Sequence, residues 1–66
     1  MTFGKVIKLA RVNSDLTQKD VAKRMNISQS TYSRLENNKQ TPSIYHLKKI
    51  RDCLNISLDG FLDKTI

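Results

Sequence analysis

Gln29, Ser30, Thr31, Ser33 and Arg34 bring amide, hydroxyl and guanidinium groups into one short stretch, Ser28 to Lys39. At about 100° per residue, Gln29, Ser30, Ser33, Arg34 and Asn37 share one side of a helix. Tyr32 and Leu35 share the other. An amide can pair with an adenine edge, and a guanidinium with a guanine edge, each through two hydrogen bonds in the DNA major groove. Arg34 is also long enough to settle on a phosphate. Ser30, Thr31 and Ser33 can meet a base, a thymine methyl, a phosphate or only water. The chemistry on offer is recognition. No nucleophile–base set, metal-ligand cluster or phosphate-cradling Gly loop stands in the sequence, so no enzyme and no cofactor is expected.

The charges point the same way. The chain of 66 residues has a formal net charge of +6. Residues 1–51 hold eleven Lys/Arg against three acids, whereas residues 52–66 hold one Lys against three Asp. A basic body with a mildly acidic end fits a polyanionic partner for the body. Lys19, Lys23 and Lys39 are the phosphate candidates, and such contacts position a protein without reading sequence. Lys5, Lys8, Lys48 and Lys49 read as a solvated face. A chain this short buries a small core, and its single Cys53 allows no internal disulfide. Helix packing and pairing with a second copy remain as its means of support. Neither a signal peptide nor a membrane span is expected, and the location expected is cytoplasmic.

The elements that must hold these side chains follow from apolar spacing and capping residues. Phe3, Val6, Ile7 and Ala10 form a helical stripe over residues 3–13, with Thr2 as its cap. Thr17 and Asp20 occupy the positions of a capping box. Val21, Ala22 and Met25 make the buried face of that second helix, and Asn26 ends it in a left-handed conformation. Ser28 caps the third helix, which Asn37-Asn38-Lys39 terminates, Asn38 being the residue suited to positive φ. Pro42 blocks any continuation, and Ser43 caps a fourth helix to Leu54 with Ile44, Leu47, Ile50 and Leu54 as its stripe. Asn55 ends it, and Ser57 opens a last short helix to about Leu62. Tyr32 reads as core, His46 as a surface residue, Cys53 as a small buried one and Glu36, the sole Glu, as structural. The fold class is all-α, five short helices in one domain over residues 1–66, with a helix-turn-helix at about 17–36.

Four blocks of this chain resemble the lambda-repressor-like, Cro/C1-type helix-turn-helix DNA-binding proteins. They are G-x-x-I-K-x-x-R (Gly4 to Arg11), L-T-Q-x-D-V-A (Leu16 to Ala22), I-S-Q-S-T-Y-S-R-L-E-N-N-K-x-x-P-S (Ile27 to Ser43) and L-N-I-S-L-D-G-F-L (Leu54 to Leu62). The middle two carry most of the specificity. The resemblance implies that Gln18 binds a phosphate through its backbone amide and braces Gln29. It places base reading on Gln29, Ser30, Thr31, Ser33 and Arg34, and further phosphate contacts on Asn37, Asn38 and Lys39. It also implies a structural salt bridge between Arg11 and Glu36. The chain departs from the family pattern at Asn38, where Gly is usual, at Gly60, and at Arg51.

The expected function is a sequence-specific DNA-binding transcription regulator, a repressor, acting as a homodimer on a palindromic operator in double-stranded DNA. One short helix reads few base pairs, and two of them one DNA turn apart give usable specificity. Leu58, Phe61 and Leu62 are the candidate dimer contacts, and they equally suit a monomer core. No membrane partner and no small-molecule ligand is expected. The alternative is an antitoxin or restriction-modification controller-type regulator whose main partners include another protein.

Overall fold

Every helix opens on a hydroxyl side chain. The computed structural model describes residues 2–58. In it α1 (Phe3–Asn13), α2 (Gln18–Met25), α3 (Gln29–Glu36) and α4 (Ile44–Leu54) follow Thr2, Thr17, Ser28 and Ser43. Each hydroxyl accepts from the amide of the third helical residue, a donor that helix geometry otherwise leaves free. Thr17 and Asp20 complete a capping box. Ser43 forms another with His46, whose Nδ1 accepts from the Ser43 N–H at 3.2 Å. His46, a surface residue by its sequence, is therefore a helix cap.

Asparagine stops α2, α3 and α4, whereas α1 ends at Ser14 with Asp15 at a φ of 57°. Asn26, Asn38 and Asn55 have φ of 59°, 57° and 53°, a left-handed turn that a short polar side chain tolerates better than most. In the packed body α2 meets both α3 and α4, and α1 lies across α3 and α4. The core gathers Phe3 and Ile7 from α1, Val21, Ala22 and Met25 from α2, Tyr32 and Leu35 from α3, and Leu47, Ile50 and Leu54 from α4. Val6, Ala10, Leu16, Ile27, Cys53 and Ile56 pack around it, half-buried.

One expectation changes here, one open alternative narrows, and one falls mostly outside the described residues. Ile44 is not part of the buried stripe of α4: it is the first residue of the helix and is 40% exposed. Leu58 is 1% exposed and belongs to the core, so it has almost no surface left to offer a second copy. The described residues form four helices, and the fifth expected after Ser57 falls largely on residues 59–66, which lie outside them. Phe61 and Leu62, the other expected dimer contacts, lie there too. Among the described residues there is no strand, and no helix is long and apolar enough to cross a membrane.

Candidate nucleic-acid interface

The two sides of α3 have opposite fates. Tyr32, Leu35 and Glu36 are buried, whereas Gln29, Ser30 and Arg34 are exposed. Glu36 is the buried charged residue of the described chain, at 5% exposure. Its neutralisation is complete in geometric terms. Arg11 Nε donates to Glu36 Oε2 at 2.6 Å, Arg11 Nη2 to Oε1 at 3.4 Å, and Gln18 Nε2 to Oε1 at 3.1 Å. Arg11 Nη1 also donates to the Leu16 carbonyl at 2.8 Å, which ties the turn between α1 and α2 to the same group.

Burial by itself pushes the Glu36 carboxyl up, but Arg11, the nearby Tyr32 hydroxyl and Gln18 together hold it below the usual carboxylate range. The hydrogen bond to Glu36 in turn raises the Arg11 guanidinium. Burial, then the neighbouring carboxylate, keeps the Tyr32 phenol protonated far above its ordinary range. That hydroxyl faces the ion pair but makes no hydrogen bond of ordinary geometry. The consequence for the outer surface is simple: the carboxylate closing α3 projects no uncompensated negative charge toward an approaching polyanion.

On the solvent side, Gln29 sits at the first turn of α3 and faces α2. Lys19, Ala22, Lys23, Asn26, Ile27 and Gln29 line an open groove of about 490 Å³ between the two helices. Two expected phosphate contacts and one expected base reader thus share a single surface. Arg34 lies back along its own helix, with bonds to Ser30, Thr31 and Gln40. Thr31 and Ser33 are half-buried, and their hydroxyls are engaged locally. Thr31 Oγ1 accepts from Ser28 Oγ at 2.8 Å, and Ser33 Oγ accepts from Asn37 Nδ2 at 3.4 Å. Lys39 is exposed, and its backbone amide closes the helix end on the Arg34 carbonyl at 2.8 Å.

Two residues take up positions different from those the resemblance implied. The Gln18 side chain makes its hydrogen bond to Glu36, inside the body, rather than bracing Gln29. Asn38 caps another helix: its Oδ1 accepts from the Gly4 N–H at 3.0 Å, and its Nδ2 donates to Thr2 Oγ1 at 3.1 Å. Asn38 thereby satisfies a free amide of α1 from across the fold, and its exposed Nδ2 keeps a second N–H beyond the bond to Thr2. This accounts for Asn where the family pattern has Gly, since the side chain gains two bonds for the left-handed backbone it must adopt. Gly4 completes the contact. A Cβ there would collide with the Glu36 carbonyl oxygen, so only glycine lets α1 approach the end of α3 this closely.

Sequence reasoning missed Gln40 as a partner of Arg34, and Asn38 and Gly4 as a joint between α1 and α3. Both are contacts made from outside a single helix, and helical spacing carries no trace of them. Among the described residues, no group of three or more His, Cys, Asp or Glu could hold a metal ion.

Two consecutive capped helices joined by a left-handed Asn, the second presenting a polar face to solvent, define a helix-turn-helix protein. The family model for the helix-turn-helix matches residues 7–61, and the chain belongs to that family. The chain is 34% identical over 64 residues to the HTH-type transcriptional regulator ImmR of Bacillus subtilis (strain 168), a match covering 97% of this chain and 50% of ImmR. The fold is similar to that of SinR in the SinR–SinI protein complex, with a TM-score of 0.83, 30% identity, 94% of this chain covered and 61% of the other. SinR, the master regulator for biofilm formation, in complex with DNA gives a TM-score of 0.82 at 29% identity, over 92% of this chain and 98% of the other. A mutant of the restriction-modification controller protein C.Esp1396I gives 0.78 at 28% identity, over 96% and 82%. The chain spans about half the length of ImmR, the curated relative it matches.

Proposed function

We propose that this chain is a DNA-binding transcription regulator that inserts α3 into the major groove and represses from a palindromic operator as a homodimer. The observation that carries the reading is the division of α3. Its inner face is fixed by Tyr32, Leu35 and a neutralised Glu36, while Gln29, Ser30 and Arg34 stand outward beside the lysines of the α2–α3 groove. A rigid inner face matters because base edges are read by hydrogen bonds that tolerate little misplacement. The DNA complex of SinR supports the choice of partner, and the transcriptional role of ImmR supports the choice of process.

Within this reading Gln29 and Arg34 contact bases, with Ser30, Thr31 and Ser33 beside them. Lys19, Lys23, Asn37, Asn38 and Lys39 hold phosphates. The Gln18 backbone amide, at the N-terminus of α2, is a further phosphate donor, as helix N-termini favour anions. Pairing of two copies would set two α3 helices about one DNA turn apart. With Leu58 in the core, that pairing must use other surfaces of the chain.

Binding titrations at several salt concentrations test the proposal. A regulator of this kind shows a steep salt slope and prefers one palindromic duplex over random DNA. Gln29→Ala should relax the preference at one base position, while Lys39→Ala should weaken binding to all sequences alike and reduce the salt slope by about one. Equal affinity for every duplex would overturn the proposal, and an unaltered base preference in Gln29→Ala would overturn the docking of α3.

A further inference from the structure

We propose that Gln40, in the connector beyond α3, determines sequence specificity by setting the pose of the Arg34 guanidinium. The inference rests on the reading of Arg34 as a base contact and names what controls it. Arg34 Nε donates to Gln40 Oε1 at 3.1 Å, Nη1 to Ser30 Oγ at 3.3 Å and Nη2 to Thr31 Oγ1 at 3.3 Å. A guanidinium is a flat fork, so acceptors on all of its nitrogens fix both its place and its plane. Ser30 and Thr31 lie on the same helix as Arg34 and hold the two terminal nitrogens. Gln40 reaches the inner nitrogen from outside the helix and supplies the shortest of the three bonds, so without it the fork is held only by the two longer ones.

The remaining donors fit a base. Arginine has five N–H groups. The three bonds to Ser30, Thr31 and Gln40 leave one N–H free on each terminal nitrogen. Guanine presents two acceptors, O6 and N7, on its major-groove edge. The acceptors around Arg34 are all neutral, so its full positive charge also remains available to DNA.

Gln40 is itself well placed to be rigid. It is half-buried, and the Lys39 amide before it is bonded to the Arg34 carbonyl at 2.8 Å, which locks the connector to the helix end. The ligand implied is duplex DNA with a guanine at the position Arg34 faces. Its recognition depends on a side chain that need not touch the base.

The test is selection of bound sequences from a random duplex library by the full chain. It compares wild type, Gln40→Met, Gln40→Glu, Arg34→Ala and the Gln40→Met/Arg34→Ala double variant. Helical circular dichroism confirms that each is folded. Arg34→Ala should lower the preference for guanine at one position about tenfold. Gln40→Met, of similar length but without the acceptor, should lower it there by about two- to threefold, and should add nothing in the Arg34→Ala background. Gln40→Glu keeps an acceptor for Nε and should retain the preference, with weaker binding overall from its charge. Uniform weakening by Gln40→Met, or an equal effect of Gln40→Met with and without Arg34, would overturn the inference and leave Gln40 a direct contact. An unchanged profile in Gln40→Met with an altered one in Arg34→Ala removes the role of Gln40 alone. If Arg34→Ala changes no base preference, the assignment of Arg34 as a reader falls, and the inference falls with it.

Discussion

Arg11 of α1 meets the buried side of α3 and Arg34 stands on its exposed side, and each guanidinium is held at all of its nitrogens. Arg11 meets both oxygens of Glu36 and a backbone carbonyl. Arg34 meets two hydroxyls and an amide oxygen. The first set contains a full negative charge and lies largely out of solvent, with side-chain exposures of 13% for Arg11 and 1% for Glu36. The second set is neutral and lies at the surface. One arginine therefore has its charge cancelled inside the protein, while the other is held in place with its charge still free. The difference shows how one short helix can be anchored and offered at once: opposite charge goes to the anchored side, and neutral acceptors go to the offered side.

The sharpest way to break this comparison is to remove Arg11. Arg11→Met leaves Glu36 buried without its cation, and loss of one partner of a buried pair costs about 3–5 kcal/mol. For a chain this short, that is a large part of its stability, and the midpoint of urea unfolding should fall steeply. Arg11→Met/Glu36→Leu should recover much of the loss, since no stranded charge remains.

Acid probes the same pair without mutation. The Glu36 carboxyl is held below its ordinary value in the folded protein. Its contribution is therefore present above the unfolded value, about 4.3, and is lost as pH falls through the folded one. Asp20, lowered chiefly by the Thr17 backbone hydrogen bond, adds a loss of the same sign. The stability gap between wild type and Arg11→Met should thus narrow from pH 7 to pH 3, because Asp20 acts equally in both. A constant gap would mean that Glu36 titrates without regard to Arg11.

A smaller effect separates anchoring from DNA contact at Asn38. Asn38→Ala leaves a non-glycine residue at positive φ and removes the bonds to Gly4 and Thr2. Hydrogen bonds of this kind contribute about 0.5–1.5 kcal/mol each, so a loss of about 2 kcal/mol in thermal or urea unfolding is expected. A stable variant with weakened DNA binding would make Asn38 a phosphate contact rather than a joint between helices. On the offered side, Arg34→Ala should change stability by no more than about 0.5 kcal/mol, as exposed substitutions usually do. A larger loss would place Arg34 among the anchoring residues and erase the contrast with Arg11.

The helices themselves were legible in the sequence. Hydroxyl residues, apolar stripes at helical spacing and asparagines are local features, and each acts on backbone within a few residues of itself. Thr2, Thr17, Ser28 and Ser43 therefore marked the helix starts, and Asn26, Asn38 and Asn55 the ends, from sequence alone. The two-faced nature of α3 followed from the same spacing. Tertiary structure decided which polar side chains of that region remain free for a partner. Asn37 and Asn38 are adjacent and chemically identical, yet Asn37 bonds Ser33 one turn back while Asn38 reaches across to α1. Gln18 and Gln29 are likewise the same residue type, each opening its helix, yet Gln18 turns inward to Glu36 and Gln29 lines the groove. Leu58 and Ile44 are both aliphatic, and only packing separates the buried one from the exposed one. The reason is physical: capping and periodicity depend on neighbours along the chain, whereas hydrogen-bond partners and burial depend on which segments the fold brings within about 3 Å of one another.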